Sequence, residues 1–249
     1  MIDIHCHILP GLDDGAPDID TSILMAEIAA ESGVTDIIAT PHTNQAGRFE
    51  NYDSPELCSL FEKVRDEIAE RKIPLRLHRG MEVYGSGMVP GMLSDGKLIT
   101  LAGSRYFLIE FGFRDLPENM DRVLKELLDA SVVPVVAHPE RYEHIQNHPN
   151  WLFRWAQAGI LLQSNQGSFS GFFGRKPREL AFAMVARGLT ACVASDAHGY
   201  EHRPPSLEEI EEILTLEFSG DTAKRLLLDN PAKILRDEPF RYGYIRPFH

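Results

Sequence analysis

The chain opens with MIDIHCHILPGLDDGA, and its two histidines, His5 and His7, stand one residue apart at the end of a short apolar run. Residues i and i+2 of a strand face the same way. Asp3, His5 and His7 then share one face, and Ile2 and Ile4 share the other. Two neutral imidazoles side by side make half of a site for Zn, Mn or Fe. An isolated HxH is a weak motif, equally well read as two surface histidines, so the rest of the chain must decide. Further ligand types recur along it. Asp14 follows the pair, with Asp13 as the adjacent alternative. His42 lies in ATPHT, Glu82 in RGMEVYG, Glu110 in LIEFGF, His138 in VVAHPERY, and Asp196 with His198 in VASDAHGYEHR. The nine are His5, His7, Asp14, His42, Glu82, Glu110, His138, Asp196 and His198. That exceeds what one ion uses. Mixed nitrogen and oxygen donors suit Zn, Mn or Fe rather than Ca or structural Zn, and carboxylates bridge adjacent ions, so two or three ions are expected. Such a cluster turns water into hydroxide at neutral pH and neutralises phosphoryl oxygens. Arg141 and Arg203 each follow a ligand by a few residues, and a guanidinium is a planar fork matched to phosphate. Plain ion pairs with Glu140 and Glu201 are the alternative for these two arginines.

These residues need elements to position them. Strand-like runs occur at Ile2–His5, Asp36–Thr40, Leu75–Val83, Tyr106–Phe111, Val133–Ala137, Ile160–Ser164 and Ala191–Ser195. Between them the pattern predicts helices at Ile19–Ser32, Pro55–Arg71, Asn119–Ala130, Trp151–Ala158 and Arg178–Arg187, with Leu207–Glu217 and Asp221–Leu228 closing the chain. Ser54-Pro55 and Ser206 read as helix starts, and Gly33 and Gly188 as helix ends. Alternation of nearly unbroken apolar strands with helices signals a mainly parallel α/β sheet, and seven such units in one domain suggest a barrel. Active sites of α/β barrels lie at the C-terminal ends of the strands. Six of the seven predicted strands deliver a histidine or carboxylate there. Any single one is explained as the start of a solvated loop; six together are not. Gly15 is expected to let the chain turn so that Asp14 reaches back toward the histidine pair.

Composition narrows the class. The 249 residues, 43% hydrophobic and 25% charged, suffice for one globular domain spanning 1–249. A net charge of −12 argues against a general nucleic-acid binder. No basic-then-apolar leader and no membrane-length apolar stretch is seen, so a cytoplasmic protein without membrane insertion is expected. Cys6, Cys58 and Cys192 form no disulfide framework. A cysteine phosphatase places arginine six residues after its nucleophile, but those positions hold Leu12, Val64 and His198. Cys6 is expected to point into packing. No phosphate-cradling glycine motif supports a nucleotide cofactor. His78 reads as a strand residue. His144 and His148 fit either the pocket rim or open solvent. The run NQGSFSGFFGRKPR reads as a loop, either mobile and able to receive an aromatic phosphoester with its acidic peptide, or folded back on the barrel.

The order HxH, D, TPH, E, E, AHPER, SDAH resembles the polymerase-and-histidinol-phosphatase (PHP) family of metal hydrolases. MIDIHCHILPGLDDGA, TPHT, IEFGF, AHPERY and SDAH are similar to its bacterial tyrosine-protein phosphatases of capsule and exopolysaccharide control, over almost the whole chain. That resemblance implies a distorted (β/α)7 TIM-like barrel, the PHP fold, with three divalent ions. Manganese is the first expectation, with Fe, Co or Zn as alternatives. It implies His5, His7, Glu82 and Asp196 at one metal, Glu82 bridging to a second held by Glu110 and His138, and Asp14, His42 and His198 at a third. Arg141, Arg203, Asp196 and His198 are then the expected catalytic set. The implied substrate and partner is a tyrosine-phosphorylated protein, a bacterial tyrosine kinase. A small-molecule phosphatase such as histidinol phosphatase, or a non-catalytic metal-binding module that docks a kinase, are the alternatives. The oligomeric state is not legible.

Overall fold

The computed structural model describes residues 1–249. Its strands are β1 (Ile2–Cys6), β2 (Asp36–Ala39), β3 (His42–Thr43), β4 (Arg76–Arg79), β5 (Glu82–Tyr84), β6 (Tyr106–Glu110), β7 (Val133–Ala137), β8 (Leu161–Asn165) and β9 (Cys192–Ala194). All pair in parallel, in two sheets: β1-β2-β4 and β3-β5-β6-β7-β8-β9. The fold is therefore mixed α/β with parallel sheets, and the ladders do not form one closed ring.

One predicted strand ends a residue early and another is broken in two. The Asp36–Thr40 run stops at Ala39, with Thr40 N–H still donating to the Cys6 carbonyl of β1 at 2.9 Å, and a separate short strand starts at His42 after Pro41, which has no N–H to give. The Leu75–Val83 run breaks at Gly80 and Met81. A Cβ at Gly80 would stand 2.7 Å from Ile38 Cγ2. The breaks preserve register, since Asp36 faces Arg76 on one side and His42 faces Glu82 on the other. Each therefore re-aims a ligand type without losing its neighbour. The first strand also meets the segment after the last, through His7 N–H to Ala197 O and Asp196 N–H to His5 O, both 2.9 Å.

Helices fill the crossovers: α1 (Ile19–Glu31), α2 (Pro55–Glu70), α3 (Val89–Ser94), α4 (Pro117–Asp129), α5 (Glu143–Asn147), α6 (Asn150–Gln157), α7 (Gln166–Ser170), α8 (Arg175–Ala186), α9 (Glu208–Glu217), α10 (Gly220–Lys224) and α11 (Asn230–Leu235). Asp18 caps α1 and Ser54 caps α2 through side-chain oxygens. Period-two alternation sorts each strand between two cores. Phe107, Ile109, Val136 and Leu162 pack with helix residues such as Leu124 and Trp155, while Tyr106, Leu108, Val135 and Leu161 pack with one another and with Ile234. Burial on both faces is why the strands read as continuous apolar runs. The predicted closing helix Asp221–Leu228 is instead α10 followed by a π-turn at Arg225–Asp229. The expected loop through NQGSFSGFFGRKPR contains α7 and the start of α8. No helix is long and apolar enough to cross a membrane.

Candidate metal centre

The nine predicted ligands meet at one end of the strands. His5 lies within β1 and His7 just after it, His42 opens β3, Glu82 opens β5, and Glu110 ends β6. His138 follows β7, and Asp196 and His198 follow β9. His138 (φ 35) and Asp196 (φ 51) take left-handed backbone, uncommon for such residues and most often found at functional sites. Glu82 is the hub. Its Oε1 lies 3.2 Å from His5 Nε2 and 3.1 Å from His138 Nε2; its Oε2 lies 2.9 Å from His42 Nδ1 and 3.4 Å from His7 Nε2. Asp196 Oδ1 is 3.3 Å from His5 Nε2 and 3.4 Å from His7 Nε2. Glu110 Oε1 is 3.0 Å from His42 Nδ1.

The two adjacent aspartates have separate tasks. Asp13 Oδ2 accepts from His7 Nδ1 at 2.7 Å and from His42 N–H at 2.8 Å, and its Oδ1 accepts from Gly15 N–H at 2.9 Å. Asp14 instead turns Oδ1 toward His42 Nε2 at 3.4 Å and His198 Nε2 at 3.5 Å. A Cβ at Gly15 would overlap the His7 carbonyl, so only glycine lets this loop close on the pair.

Hydrogen bonds fix how several imidazoles present themselves. Gln163 Nε2 donates to the Ser164 carbonyl at 2.9 Å, which leaves its Oε1 to accept from His5 Nδ1 at 3.0 Å. His7 Nδ1 donates to Asp13, and His198 Nδ1 to the Asp196 carbonyl at 2.9 Å. In each ring Nδ1 is the donor, so Nε2 is the nitrogen left to face a cation. Yet His5 Nε2 and His7 Nε2 face each other at 3.2 Å. Glu82 Oε2 and His138 Nδ1 are also buried without a hydrogen-bond partner. Converging lone pairs and an unsatisfied buried carboxylate oxygen are what a cation between them would satisfy, so the residues fit a group of divalent ions. Four ligand groupings are close enough for an ion: His5–His7–Asp196, His5–Glu82–His138, His42–Glu82–Glu110 and His7–His42–His198. These place His42, rather than His138, beside Glu110.

The buried carboxylates draw positive charge onto the imidazoles, as protons or as a cation that displaces them. Burial alone would lower the imidazole pKa values, but Glu82 and Asp196 outweigh it for His5, Asp13 for His7, and Glu82 for His42, which is raised to about 10. Burial would raise Glu82 and Asp196, but His5 leads the groups that hold both well below the usual carboxylate range. His198 goes the other way, lowered by burial and by His7.

Both arginines reach the same carboxylate oxygen. Arg203 Nη2 lies 2.5 Å and Arg141 Nη1 3.4 Å from Asp196 Oδ2. The Glu140 and Glu201 alternatives fail: Glu140 is buried, accepting from Asn165 N–H and Ser168 Oγ, and neither glutamate pairs with these arginines. Arg141 Cζ stacks 3.9 Å from the Phe173 ring centre and 4.7 Å from that of Phe113.

A protein-family model for capsular polysaccharide synthesis, CpsB/CapC, matches residues 1–236. The chain belongs to this family. It is 35% identical over 238 residues to the tyrosine-protein phosphatase YwqE of Bacillus subtilis, covering 96% of this chain and 92% of that protein. It is 31% identical over 243 residues to the tyrosine-protein phosphatase CpsB of Streptococcus pneumoniae, covering 96% and 99%. A crystal structure from work on YwqE and CpsB, described as unique metal-dependent tyrosine phosphatases, superposes with a TM-score of 0.93 at 33% identity and full coverage of both chains. The phosphotriesterase homology protein of Escherichia coli, at 12% identity and a TM-score of 0.59, shares the fold alone.

Within this CpsB/CapC chain, several residues at the centre carry no sequence signal. Strand β8 supplies no ligand type but contributes two amides: Gln163 to His5, and Asn165, whose Nδ2 donates to Asp196 Oδ2 at 2.5 Å. Gln45 donates to Glu110 at 2.6 Å, Phe49 stacks on His42 with ring centres 5.4 Å apart, and Arg48 pairs with Asp14 at 3.2 Å. Amides and a phenylalanine in loops are too common to single out; only their contacts mark them. Three other expectations resolve plainly. Cys6 is fully buried in the core, its thiol pushed well up by burial. His144 and His148 line a separate cavity with Trp151 and Phe248, and His78 pairs with Asp36 at 2.9 Å.

Proposed function

We propose that this chain is a metal-dependent protein-tyrosine phosphatase. The observation that carries it is the convergence of nine nitrogen and oxygen donors with two arginines whose guanidinium groups share one oxygen of Asp196. In this reading His5, His7, Asp14, His42, Glu82, Glu110, His138, Asp196 and His198 hold three divalent ions, manganese first among the candidates. Asp14 is the ligand and Asp13 the residue that orients His7, because Asp13 already accepts three hydrogen bonds. When bound, the ions supply hydroxide at neutral pH and neutralise phosphoryl oxygens. Arg141 and Arg203 bind the nonbridging oxygens and stabilise their growing charge. Phe113 and Phe173 hold the Arg141 plane. Cys6 takes no part, since a buried, protonated thiol is a poor nucleophile.

The substrate in this reading is a tyrosine-phosphorylated protein, a bacterial kinase of capsule or exopolysaccharide synthesis, and the family's description supports the capsule setting. The unpaired cysteines support a cytoplasmic setting. One domain over 1–249, built as a distorted seven-unit barrel, is also part of the proposal. The shared register of β2 with β4 and of β3 with β5, and the Cys6–Ala197 bridge, favour it. The test is hydrolysis of a phosphotyrosyl peptide against histidinol phosphate, before and after exhaustive chelation. Peptide turnover lost on chelation and regained with Mn²⁺ or Co²⁺ is expected. Full activity in metal-free protein would defeat the reading.

A further inference from the structure

Phe172 and Phe173 occupy the turn between α7 and α8, where Gly171 (φ 87) and Gly174 (φ 95) supply the left-handed backbone. The two rings meet edge to face at 5.1 Å. Phe173 lies inward, against Arg141 and, at 5.7 Å, Arg203. Phe172 lies outward and is 59% exposed. The pair lines a cavity of about 250 Å³ together with Pro204, Ile210 and Ile213 and the polar Ser206 and Glu209, and Arg203 joins it to the metal centre. Directly after Gly174 come Arg175 and Lys176. Arg175 is 86% exposed and reaches Glu179 one turn on at 3.4 Å, Lys176 is exposed, and Arg178 Nε donates to the Phe169 carbonyl at 3.0 Å. Two outward cations beside the opening stand out on a chain of net charge −12.

We propose that this turn and the start of α8 form a docking surface for the polypeptide flanking the phosphotyrosine. An apolar residue next to the phosphotyrosine fills the cavity, and an acidic residue beyond it meets Arg175 and Lys176. The proposal rests on the phosphatase reading. Two arguments carry it. Arg203 is shared between cavity and centre, so a chain whose phosphoryl group sits on Arg141 and Arg203 has its neighbouring residue at the cavity mouth. The cavity also carries Phe172, Phe173, Ile210 and Ile213, and the start of α8, directly after Gly174 in the chain, carries Arg175 and Lys176, a pairing complementary to an apolar-then-acidic segment. Exposed aromatic side chains beside a pocket are the usual anchors of such interfaces. A small phosphoester would occupy the centre and touch none of this surface.

The test uses the metal-loaded full chain, with p-nitrophenyl phosphate and two phosphotyrosyl peptides. One peptide is flanked by leucine and glutamate, the other by glycine and lysine. The variants are Phe172→Ala and the double charge reversal Arg175→Glu with Lys176→Glu; all three side chains are exposed, so folding is retained. The wild type should prefer the first peptide. Each variant should lower kcat/KM for it at least about fivefold, mainly through KM, as expected for loss of one interface anchor, and leave p-nitrophenyl phosphate hydrolysis unchanged. Anisotropy of the first peptide carrying a nonhydrolysable phosphonate separates the two claims. Turnover of every substrate without dependence on Phe172, Arg175 or Lys176 overturns the docking surface and keeps the phosphatase. Phosphonate binding that depends on these residues, without turnover, keeps the surface and overturns the phosphatase. Neither binding nor turnover overturns both.

Discussion

Gln163 shows how a residue that is no ligand can govern one that is. Its carbonyl oxygen pins the His5 proton to Nδ1 and leaves Nε2 free for a cation. Gln163→Leu removes that acceptor, and metal affinity should fall about 10–100-fold, the usual effect of losing such a partner. Gln163→Glu keeps an acceptor and should recover much of it; titration calorimetry with Mn²⁺ reads both. Equal affinity in all three proteins would show that the hydrogen bond does not set the tautomer. In the proposed reading Arg203 acts on the substrate side. Arg203→Ala should lower kcat roughly 100-fold or more, as loss of a donor aimed at developing charge does, with metal content unchanged by elemental analysis. Arg203→Lys should rescue only in part, because the planar fork is gone. At this scale the sequence was most legible where chemistry restricts the residue type. Histidines and carboxylates at six strand ends announce themselves, and DDG narrows the first aspartate of the set to two positions. Which of the two faces His42 depends on the Asp13 hydrogen bonds, and those are invisible until the loop is folded.

The elements were legible wherever both faces of a strand are apolar, and illegible where a strand changes direction inside its own pattern. Leu75–Val83 reads as one strand because Leu77, Met81 and Val83 are all buried; the break comes from Gly80 pressing on Ile38. Short helices such as α3, α5 and α7 span too few residues to show a period. The break carries a prediction. Gly80→Ala places a methyl group 2.7 Å from Ile38 Cγ2 and 3.1 Å from Leu101 Cδ2. Overpacking of that kind costs about 1–3 kcal/mol, and urea denaturation should show it, together with weaker metal binding because Glu82 follows two residues later. A second prediction concerns β2 and β4. Asp36 accepts from Arg76 at 2.7 and 2.8 Å and pairs with His78. Burial opposes ionisation, but those partners hold the carboxyl at about 2, below its ordinary 3.8. A depressed carboxylate pKa contributes stability that is complete above pH 3.8 and is lost as pH falls toward 2. Asp36→Asn should therefore be less stable than the parent near neutrality, and the difference should close between about pH 4 and pH 2, measured on chelated protein. A difference that persists unchanged to pH 2 would rule the ion pair out as its source.

On the scale of the whole molecule, the centre ties first strand to last. Its donors come from positions as far apart as His5 and His198, so ions bound there bind the folded chain and not the unfolded one. At free metal 100 times Kd this stabilises by about 2.7 kcal/mol. For a chain of this size each kcal/mol moves Tm by roughly 2–4 °C. Chelation should then lower Tm by about 5–11 °C, and scanning calorimetry with Mn²⁺ titrated back should restore it. An unchanged Tm would mean that no ion is held with useful affinity. Asp196 has one further consequence. One of its oxygens faces imidazoles, and the other is neutralised by Arg141, Arg203 and Asn165. An oxyanion that draws both arginines to itself returns negative charge to Asp196 and strengthens its hold on a cation. Thermodynamic linkage makes that coupling mutual: the ion raises affinity for the anion by the same factor. Inorganic phosphate, the product of the reaction, thereby becomes a brake on metal escape, and at a given metal concentration a shortage of phosphate leaves the ions less tightly held.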